Sequence, residues 1–258
     1  PGTAYTFAAY ATNNQGTGYS SIGSFVTLSS DATLSALSLS AGTLIPVFST
    51  STYLYNFSVS NEVASTTVTP TATQGGAAIS VDGTTVLSGN ASSAIPLNVG
   101  SNSIVTSVTA QDGVTTDIYT VTVTRLSPVE TWRKFYFNMI SDSGIAADTA
   151  NPDGDNLTNI QEYVFGSDPT TPEAGTFLDA NSSGGLFTLS FIARQAAGVG
   201  YAGLTRYYTV ETSTDLANAA SWSALTSYSN IVGANQVVTP TPSTAGSRGF
   251  YRLKTWLE

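Results

Sequence analysis

The sequence contains no cysteine and no histidine in its 258 residues. Without cysteine the chain can form neither disulfides nor thiolate metal sites. The common nucleophile and base pairs of enzymes need one of these two residue types, which leaves only a carboxylate pair or a serine with a lysine. The one dense group of carboxylates, in residues 148–169, has the spacing of a metal-binding loop and not of a catalytic pair. We therefore expect a protein that is not an enzyme.

Basic residues are also scarce. The chain has 8 lysines and arginines against 17 acidic residues, a net charge of −9, and its first basic residue is Arg125. Binding of nucleic acid requires a basic surface that neutralises phosphates, so no nucleic acid partner is expected. An acidic, lysine-poor and threonine-rich composition is typical of secreted proteins. It predicts an extracellular or cell-surface location.

Long apolar runs are missing as well. No run approaches the roughly 20 apolar residues of a membrane helix, so the sequence predicts no membrane span. Abundant glycine, serine and threonine favour short strands joined by turns. The predicted fold class is mainly β, with tandem immunoglobulin-like β-sandwiches joined by a short helical linker that binds calcium.

Acidic residues concentrate in residues 148–169, which read DTANPDGDNLTNIQEYVFGSDP. A hard cation such as Ca²⁺ takes six to eight oxygen ligands, which alternating acidic side chains on a tight turn can supply. The predicted ligands, at loop positions one, three, five, seven, nine and twelve, are Asn151, Asp153, Asp155, the carbonyl of Leu157, Asn159 and Glu162. The alternative is a solvated acidic loop held by Asx turns.

The sixth loop position, where an EF-hand has glycine, is occupied by Asn156. Asparagine tolerates the left-handed conformation better than most residues, so we expect Asn156 to make the sharp turn. Leu157, Ile160 and Val164 then fall on one helical face, and Gly166 ends the helix. This pattern predicts a short helix that carries Glu162.

The same segment resembles the thrombospondin type 3 and dockerin-like calcium repeats of secreted bacterial proteins, which are EF-hand-like. The resemblance implies that Asp148 and Asp168 join or brace the ion shell, although each could equally be a cap or turn residue. Only one copy of the repeat is present. A dockerin has a duplicated loop, so cohesin binding is not expected.

A capped helix precedes the acidic loop. Ser127, Pro128 and Glu130 form the signature of a capping box with proline at the first helical position. The apolar stripe predicted for this helix consists of Trp132, Phe135, Tyr136, Met139 and Ile140. Residues 127–174 are therefore predicted to be a helical linker that includes the calcium loop.

Residues 30–126 alternate between apolar and polar positions, most clearly at Tyr119, Val121 and Val123. Asp82-Gly83 and Asp112-Gly113 lie between apolar runs and predict hairpins. The motifs GTLIPVFS, LNVGSNSI, VTAQDG and YTVTVTR in this segment resemble the bacterial cadherin-like β-sandwich family. The resemblance implies a sandwich without catalytic residues.

Residues 1–29 contain the pattern PGTxYxFxxYATNxxGTGYS, which resembles the last two strands of a fibronectin type III domain. Two strands do not make a domain. We therefore expect this molecule to be part of a longer, multidomain chain.

Alternation returns in residues 175–258, which are predicted to form a C-terminal β-sandwich. The motifs YYTVETSTDL and GFYRLK resemble a small C-terminal β domain of exported bacterial proteins. Four aromatic residues are candidates for a sugar-binding platform or, alternatively, for the domain core: Tyr201, Tyr207, Trp222 and Tyr251.

Together these features predict a non-catalytic, extracellular structural or attachment region of a larger secreted or cell-surface bacterial protein, with a calcium ion as its partner. Two alternatives remain open. One is a carbohydrate-binding or adhesion module whose partner is a polysaccharide or another cell-surface component. The other is a C-terminal export or anchoring region.

Overall fold

Strands make up most of the regular structure, as the sequence predicts. A computed structural model of the protein describes residues 2–173, 177–183, 186–241 and 249–258. The chain divides into two units. One contains the residues up to Val59 together with Val63–Arg125, and the other contains Ser60–Glu62 and Leu126–Glu258.

The first four strands form two small antiparallel pairs, β1 with β4 and β2 with β3. Almost all of their residues are exposed, including the aromatic rings of Tyr10 and Tyr19. The strand bounds are β1 Ala4–Phe7, β2 Tyr10–Asn13, β3 Gly16–Tyr19 and β4 Gly23–Val26.

The next nine strands share one hydrophobic core. A five-stranded sheet has the order β10-β9-β12-β13-β6, and two strand pairs, β5-β8 and β11-β7, complete the sandwich. The bounds are β5 Leu34–Leu39, β6 Leu54–Val59, β7 Ser65–Thr66, β8 Val68–Ala72, β9 Ala78–Val81, β10 Thr84–Val86, β11 Ile95–Pro96, β12 Gly100–Thr109 and β13 Thr116–Arg125.

Alternation places one face of each strand in this core. Tyr119, Val121 and Val123 on β13 are fully buried, which confirms the pattern predicted from the sequence. Leu34 and Leu37 are both buried although they are three residues apart, because β5 has a register shift between Leu34 and Ala36. The predicted hairpins at Asp82-Gly83 and Asp112-Gly113 are also confirmed.

The described residues of the second unit form two α-helices, two short 3₁₀ turns and seven strands. The bounds are α1 Pro128–Phe137, a 3₁₀ turn at Gly144–Ala146, α2 Asn159–Phe165, β14 Asp179–Ser183, β15 Leu186–Ala193, β16 Arg206–Ser213, a 3₁₀ turn at Ala219–Ser221, β17 Ser223–Ala224, β18 Ile231–Val232, β19 Gln236–Val238 and β20 Phe250–Leu257.

Helix α1 begins with the predicted capping box of Ser127 and Glu130. Its predicted apolar stripe is wrong in part. Trp132 is fully buried, but Phe135 is 61% exposed. Asn138 adopts the left-handed conformation and ends the helix, so Ile140 lies beyond it and is 43% exposed.

Helix α2 ends at Gly166, whose φ of 77° is the left-handed conformation expected of a C-cap glycine. Tyr163 packs with Trp132 and Tyr201 in a small core of its own. The helical segment and the β strands that follow it therefore belong to one unit. The domain boundary predicted between residues 174 and 175 lies outside the described residues.

Strand β16 is the centre of the terminal β sheet. β17 and β18 pair with β16, and β20 runs antiparallel along its whole length. Tyr208 and Val210 of β16 face the hydrophobic core, together with Tyr251 and Leu253 of β20. The alternate residues of these two strands lie on the opposite face of the sheet.

Candidate metal centre

Three of the predicted ligands converge on one point. One carboxylate oxygen each of Asp153, Asp155 and Glu162 lies within 4.8 Å of the other two. The aspartates belong to the turn before α2, and Glu162 projects from the first turns of that helix. A short loop followed at once by a helix is what brings together acids that are nine residues apart in the sequence.

Glu162 is the unusual member of this group. Its side chain is fully buried, and neither carboxylate oxygen has a hydrogen-bond partner among the described residues. Burial is the largest cause that raises the pKa of Glu162, and together with the negative charges of Asp153 and Asp155 it raises this pKa to about 8. A buried carboxylate without donors is costly, so this arrangement requires a compensating positive charge or a proton.

The loop is stabilised by hydrogen bonds between its aspartate side chains and its own backbone N–H groups. Asp153 Oδ1 accepts a hydrogen bond of 3.2 Å from the Asp155 N–H, and Asp155 Oδ1 accepts one of 2.6 Å from the Leu157 N–H. Each aspartate thus uses one oxygen for the turn. The other oxygen of Asp153 is buried and has no hydrogen-bond partner in the described part of the chain.

The prediction that Asn156 makes the sharp turn is wrong. The left-handed residue of the loop is Gly154, with a φ of 78°, and Asn156 is not among the residues with positive φ. Glycine adopts this conformation without steric cost, so the loop turns two residues earlier than a loop with glycine at its sixth position.

The two asparagines of the predicted ligand set have different surroundings. Asn151 is exposed, and its side-chain amide forms hydrogen bonds within the loop. It accepts one from the Gly154 N–H at 2.8 Å and donates one to the Asp155 carbonyl at 2.7 Å. Asn159 is fully buried and donates to the carbonyls of Ile145 and Ala147, each at 2.8 Å. Its Oδ1 atom has no hydrogen-bond partner among the described residues.

Asp148 and Asp168, the two additional candidates, have other partners. Asp148 Oδ1 lies 2.6 Å from Nη2 of Arg133, because that arginine is nearly buried on α1 and requires a carboxylate. Asp168 Oδ1 accepts hydrogen bonds from the N–H and the hydroxyl of Thr170. Neither belongs to the cluster of three carboxylates. In the structure Asp148 therefore forms an ion pair, and Asp168 stabilises a turn.

Glu173, which was not among the site residues predicted from the sequence, also interacts with the cluster. Its N–H donates to Asp155 Oδ2 at 3.3 Å, and its carboxylate lies 3.7 Å from Nη2 of Arg194. Its charge also helps to raise the pKa of Glu162. Glu173 lies beyond the twelve-residue loop pattern, so no spacing rule could have pointed to it.

The donor set fits a hard divalent cation. Every candidate ligand is an oxygen atom, and a chain without histidine or cysteine offers no imidazole or thiolate. Among the buried side-chain atoms without hydrogen-bond partners in the described residues are oxygens of Glu162, Asp153 and Asn159, three of the six predicted ligands. Calcium would accept these oxygens, and the carbonyl of Leu157 would add one more.

The four aromatic candidates for a sugar platform are not brought together. Tyr201 is only 7% exposed and donates its hydroxyl to the Tyr163 carbonyl. Tyr251 packs in the core of the terminal sheet. Tyr207 stacks on Trp256 on the outer face of that sheet, and Trp222 lies under the guanidinium of Arg252 at 4.4 Å.

Comparison with known proteins identifies one segment. The family described as "Cadherin-like beta sandwich domain" matches residues 31–126. A protein of Evansella cellulosilytica, described as "Putative membrane protein", is 42% identical over 97 residues, which are 38% of this chain and 14% of that protein. The chain thus spans about one seventh of the length of this relative.

In the described part of this chain, no helix has the length and apolar character needed to cross a bilayer. The matched segment coincides with the sandwich of β5 to β13, whose strands share one hydrophobic core. Residues 31–126 are therefore a cadherin-like β-sandwich domain.

Proposed function

We propose that residues 151–162 bind Ca²⁺ and that the chain is a calcium-binding, non-catalytic structural or attachment region of an extracellular protein. The observation that carries this proposal is the Glu162 carboxylate, which is fully buried beside two aspartates with no hydrogen-bond donor among the described residues. A bound Ca²⁺ offsets two of the three negative charges and coordinates the carboxylate oxygens of Asp153 and Glu162 that have no hydrogen-bond partner in the described part of the chain. A solvated acidic loop would leave Glu162 exposed.

Calcium suits this site better than magnesium. Magnesium requires six ligands at short distances in near-ideal octahedral geometry and gives up its waters reluctantly, whereas calcium accepts irregular oxygen sets. Only three carboxylates contribute charge, since Asn151 and Asn159 are neutral. We expect an affinity in the range of extracellular calcium modules, with a dissociation constant of about 10⁻⁴ to 10⁻³ M or somewhat tighter.

The role of the ion follows from where its ligands lie. Asp153 and Asp155 belong to the loop and Glu162 belongs to α2, so the ion joins the loop to the helix. The carbonyls at the other end of α2 accept hydrogen bonds from Arg206 and Tyr201. Without calcium, repulsion among the carboxylates loosens residues 141–170, while the β strands keep their own cores.

The test is calorimetric titration of the protein with CaCl₂, combined with limited proteolysis in calcium or in chelator. We expect one binding event and calcium-dependent protection of residues 141–170. Glu162→Gln removes the binding heat and gives the chelated cleavage pattern even in calcium. Glu62→Gln makes the same charge change at an exposed residue outside the cluster and serves as the control.

Two results would refute the calcium proposal. One is the absence of calcium heat at millimolar ion concentration. The other is cleavage within residues 141–170 at the same rate with and without calcium. Metal-independent turnover of a polysaccharide or peptide substrate would refute the non-catalytic part of the proposal.

We also propose that the remaining segments belong to a longer exported chain. The resemblance of residues 1–29 to the end of a fibronectin type III domain supports this, as does the exposure of nearly all residues in β1 to β4. Cadherin-like sandwiches serve as structural or adhesion modules, which agrees with an attachment role.

Polysaccharide binding is a second candidate function. It is favoured by the half-exposed pair of Tyr207 and Trp256 on the outer face of the terminal sheet. A polysaccharide pull-down tests it, with Tyr207→Ala and Trp222→Ala as variants. Loss of binding by either folded variant would support this function over a purely structural role, and absence of binding by the natural chain would exclude it for the polysaccharides tested.

A further inference from the structure

A cavity of about 440 Å³ lies between α2 and β20, away from the carboxylate cluster. Its lining is mostly apolar, contributed on one side by a face of α2 and on the other by four consecutive residues of β20. The lining residues are Ile160, Gln161, Val164, Phe165, Arg252, Leu253, Lys254 and Thr255. Because side chains alternate along a strand, four consecutive residues border a cavity only where the edge of the strand faces it.

The hydrogen-bond pattern shows which backbone groups face this edge. Thr205 and Glu258 exchange both of their backbone hydrogen bonds. In an antiparallel ladder such pairs alternate with non-bonded pairs, so the next bonded pairs along β20 are made by Trp256, Lys254 and Arg252. The N–H and C=O groups of Leu253 and Thr255 therefore point away from β16.

No strand pairs with this second edge of β20 among the described residues. An exposed edge with free N–H and C=O groups is a template for another extended chain, whose main-chain hydrogen bonds provide affinity. The apolar residues of α2 beside the edge provide a pocket for the side chains of such a chain.

The charges that line the cavity indicate which kind of extended chain could bind at this edge of β20. Arg252 and Lys254 line the cavity, and no acidic residue does. Arg252 is paired with Glu211 at 2.6 Å, but Lys254 has no ion-pair partner in the parts of the chain that the structure describes. A second copy of β20 would bring the same cations face to face, which disfavours pairing between identical edges.

We propose that the free edge of β20 binds an extended polypeptide segment in which apolar and acidic residues alternate. The segment adds as a strand beside β20 and bonds to the backbone of Leu253 and Thr255. Its apolar side chains enter the cavity against Ile160 and Val164, and its carboxylates face Lys254. This binding site is distinct from the calcium site, but both include residues of α2, so the peptide is titrated in the presence of saturating calcium.

The test uses a synthetic eight-residue peptide of alternating valine and glutamate, with blocked ends, titrated into the full chain. Thr255→Pro removes an N–H that points to the free edge while leaving the bonds between β16 and β20 intact, and edge strands tolerate proline. Thr255→Val keeps the N–H but loses the hydroxyl that bonds the Tyr207 carbonyl, so it is the matched control. We expect Thr255→Pro to weaken binding about tenfold or more, and Thr255→Val to change it less than about threefold.

Lys254→Glu provides a second variant that cannot disturb the backbone. We expect it to weaken binding of the valine-glutamate peptide and to permit binding of a valine-lysine peptide, which the natural chain rejects. Absence of peptide binding at millimolar concentration, or unchanged binding by Thr255→Pro, would overturn the proposal. The proposal would also be overturned if the natural chain dimerises and Thr255→Pro abolishes the dimer, because a second copy of the chain would then occupy the edge of β20.

Discussion

Arg206 Nε donates a hydrogen bond of 2.7 Å to the carbonyl oxygen of Val164, so an arginine of β16 caps the last turn of α2. The same guanidinium donates to the carbonyls of Gln195 and Tyr163, and it lies over the ring of Tyr201. Arg206 is fully buried, yet no carboxylate pairs with it among the described residues. Its charge is instead stabilised by carbonyl dipoles, including those at the negative end of a helix.

Replacing Arg206 by methionine keeps much of the side-chain volume but leaves the carbonyls of Val164 and Gln195 without their donor. We expect this variant to lose about 2 to 4 kcal/mol of the free energy of unfolding, measured by urea denaturation. Arg252→Met, at an exposed arginine of the same sheet, should lose less than about 1 kcal/mol. Equal losses in the two variants would contradict the capping role of Arg206.

The left-handed conformation of Gly154 predicts different effects at two neighbouring loop positions. Gly154→Ala forces a Cβ into this conformation at a cost of about 1 to 2 kcal/mol, which should weaken calcium binding roughly 5- to 30-fold. Asn156→Ala should weaken it less than about threefold, because Asn156 does not have a positive φ. Calorimetric titration measures both values, and the reverse order would indicate that the turn lies at Asn156.

The raised pKa of Glu162 predicts how the calcium-free protein responds to pH. The folded chain retains this proton up to a pKa of about 8, whereas an unperturbed glutamate loses it near 4.5. Between these values the folded state binds more protons than the unfolded state, so the free energy of unfolding falls as the pH rises. One pKa unit corresponds to about 1.4 kcal/mol, so the full effect amounts to several kcal/mol.

Thermal unfolding in chelator at pH 5.5 and at pH 8.0 measures this effect. We expect the midpoint of the natural chain to fall more between these pH values than that of Glu162→Gln, which has no proton to lose at this position. Saturating calcium should remove most of the difference, because the cation takes the place of the proton. Equal pH dependence of the two proteins in chelator would show that Glu162 is ionised in the folded chain.

Asp148 forms an ion pair with Arg133, whereas Asp153 belongs to the cluster of three carboxylates, so substitutions of these two acids should have different effects. Asp148→Asn leaves the nearly buried Arg133 with a weaker partner and should lower the free energy of unfolding by about 1 to 3 kcal/mol, while calcium affinity changes less than about threefold. Asp153→Asn should lower calcium affinity tenfold or more, because it removes a charge from the cluster. A large loss of affinity in Asp148→Asn would instead place Asp148 in the ion shell.

Local patterns predicted those parts of the fold that depend on neighbouring residues. Strict alternation at Tyr119, Val121 and Val123 was sufficient to identify a half-buried strand, and Ser127 with Glu130 was sufficient to identify the start of α1. The end of α1 was not predictable, because it depends on the left-handed conformation of Asn138 rather than on the apolar pattern. The burial of Arg133 depends on Asp148, an acid that sequence spacing had associated with the loop.

At the candidate site, the spacing of Asp153, Asp155 and Glu162 predicted their convergence because all three lie on one loop and the helix that follows it. Glu173 and Arg206 could not be found in this way. Each reaches the loop or α2 from a later part of the chain, and only the folded structure brings them together. The sharp turn lies at Gly154 and not at Asn156, because glycine adopts the left-handed conformation without steric cost two positions earlier in the loop.

The distance along the chain between Arg206 and Val164 has a consequence for biosynthesis. The two residues are 42 positions apart, so a ribosome completes α2 well before it adds the arginine that caps the helix. At the N-terminal end of α2, the acids of the loop are all present by the time Glu162 is synthesised. With calcium bound to the loop as proposed, the beginning of this helix would be stabilised first in a nascent chain, and its end only after β16 has emerged.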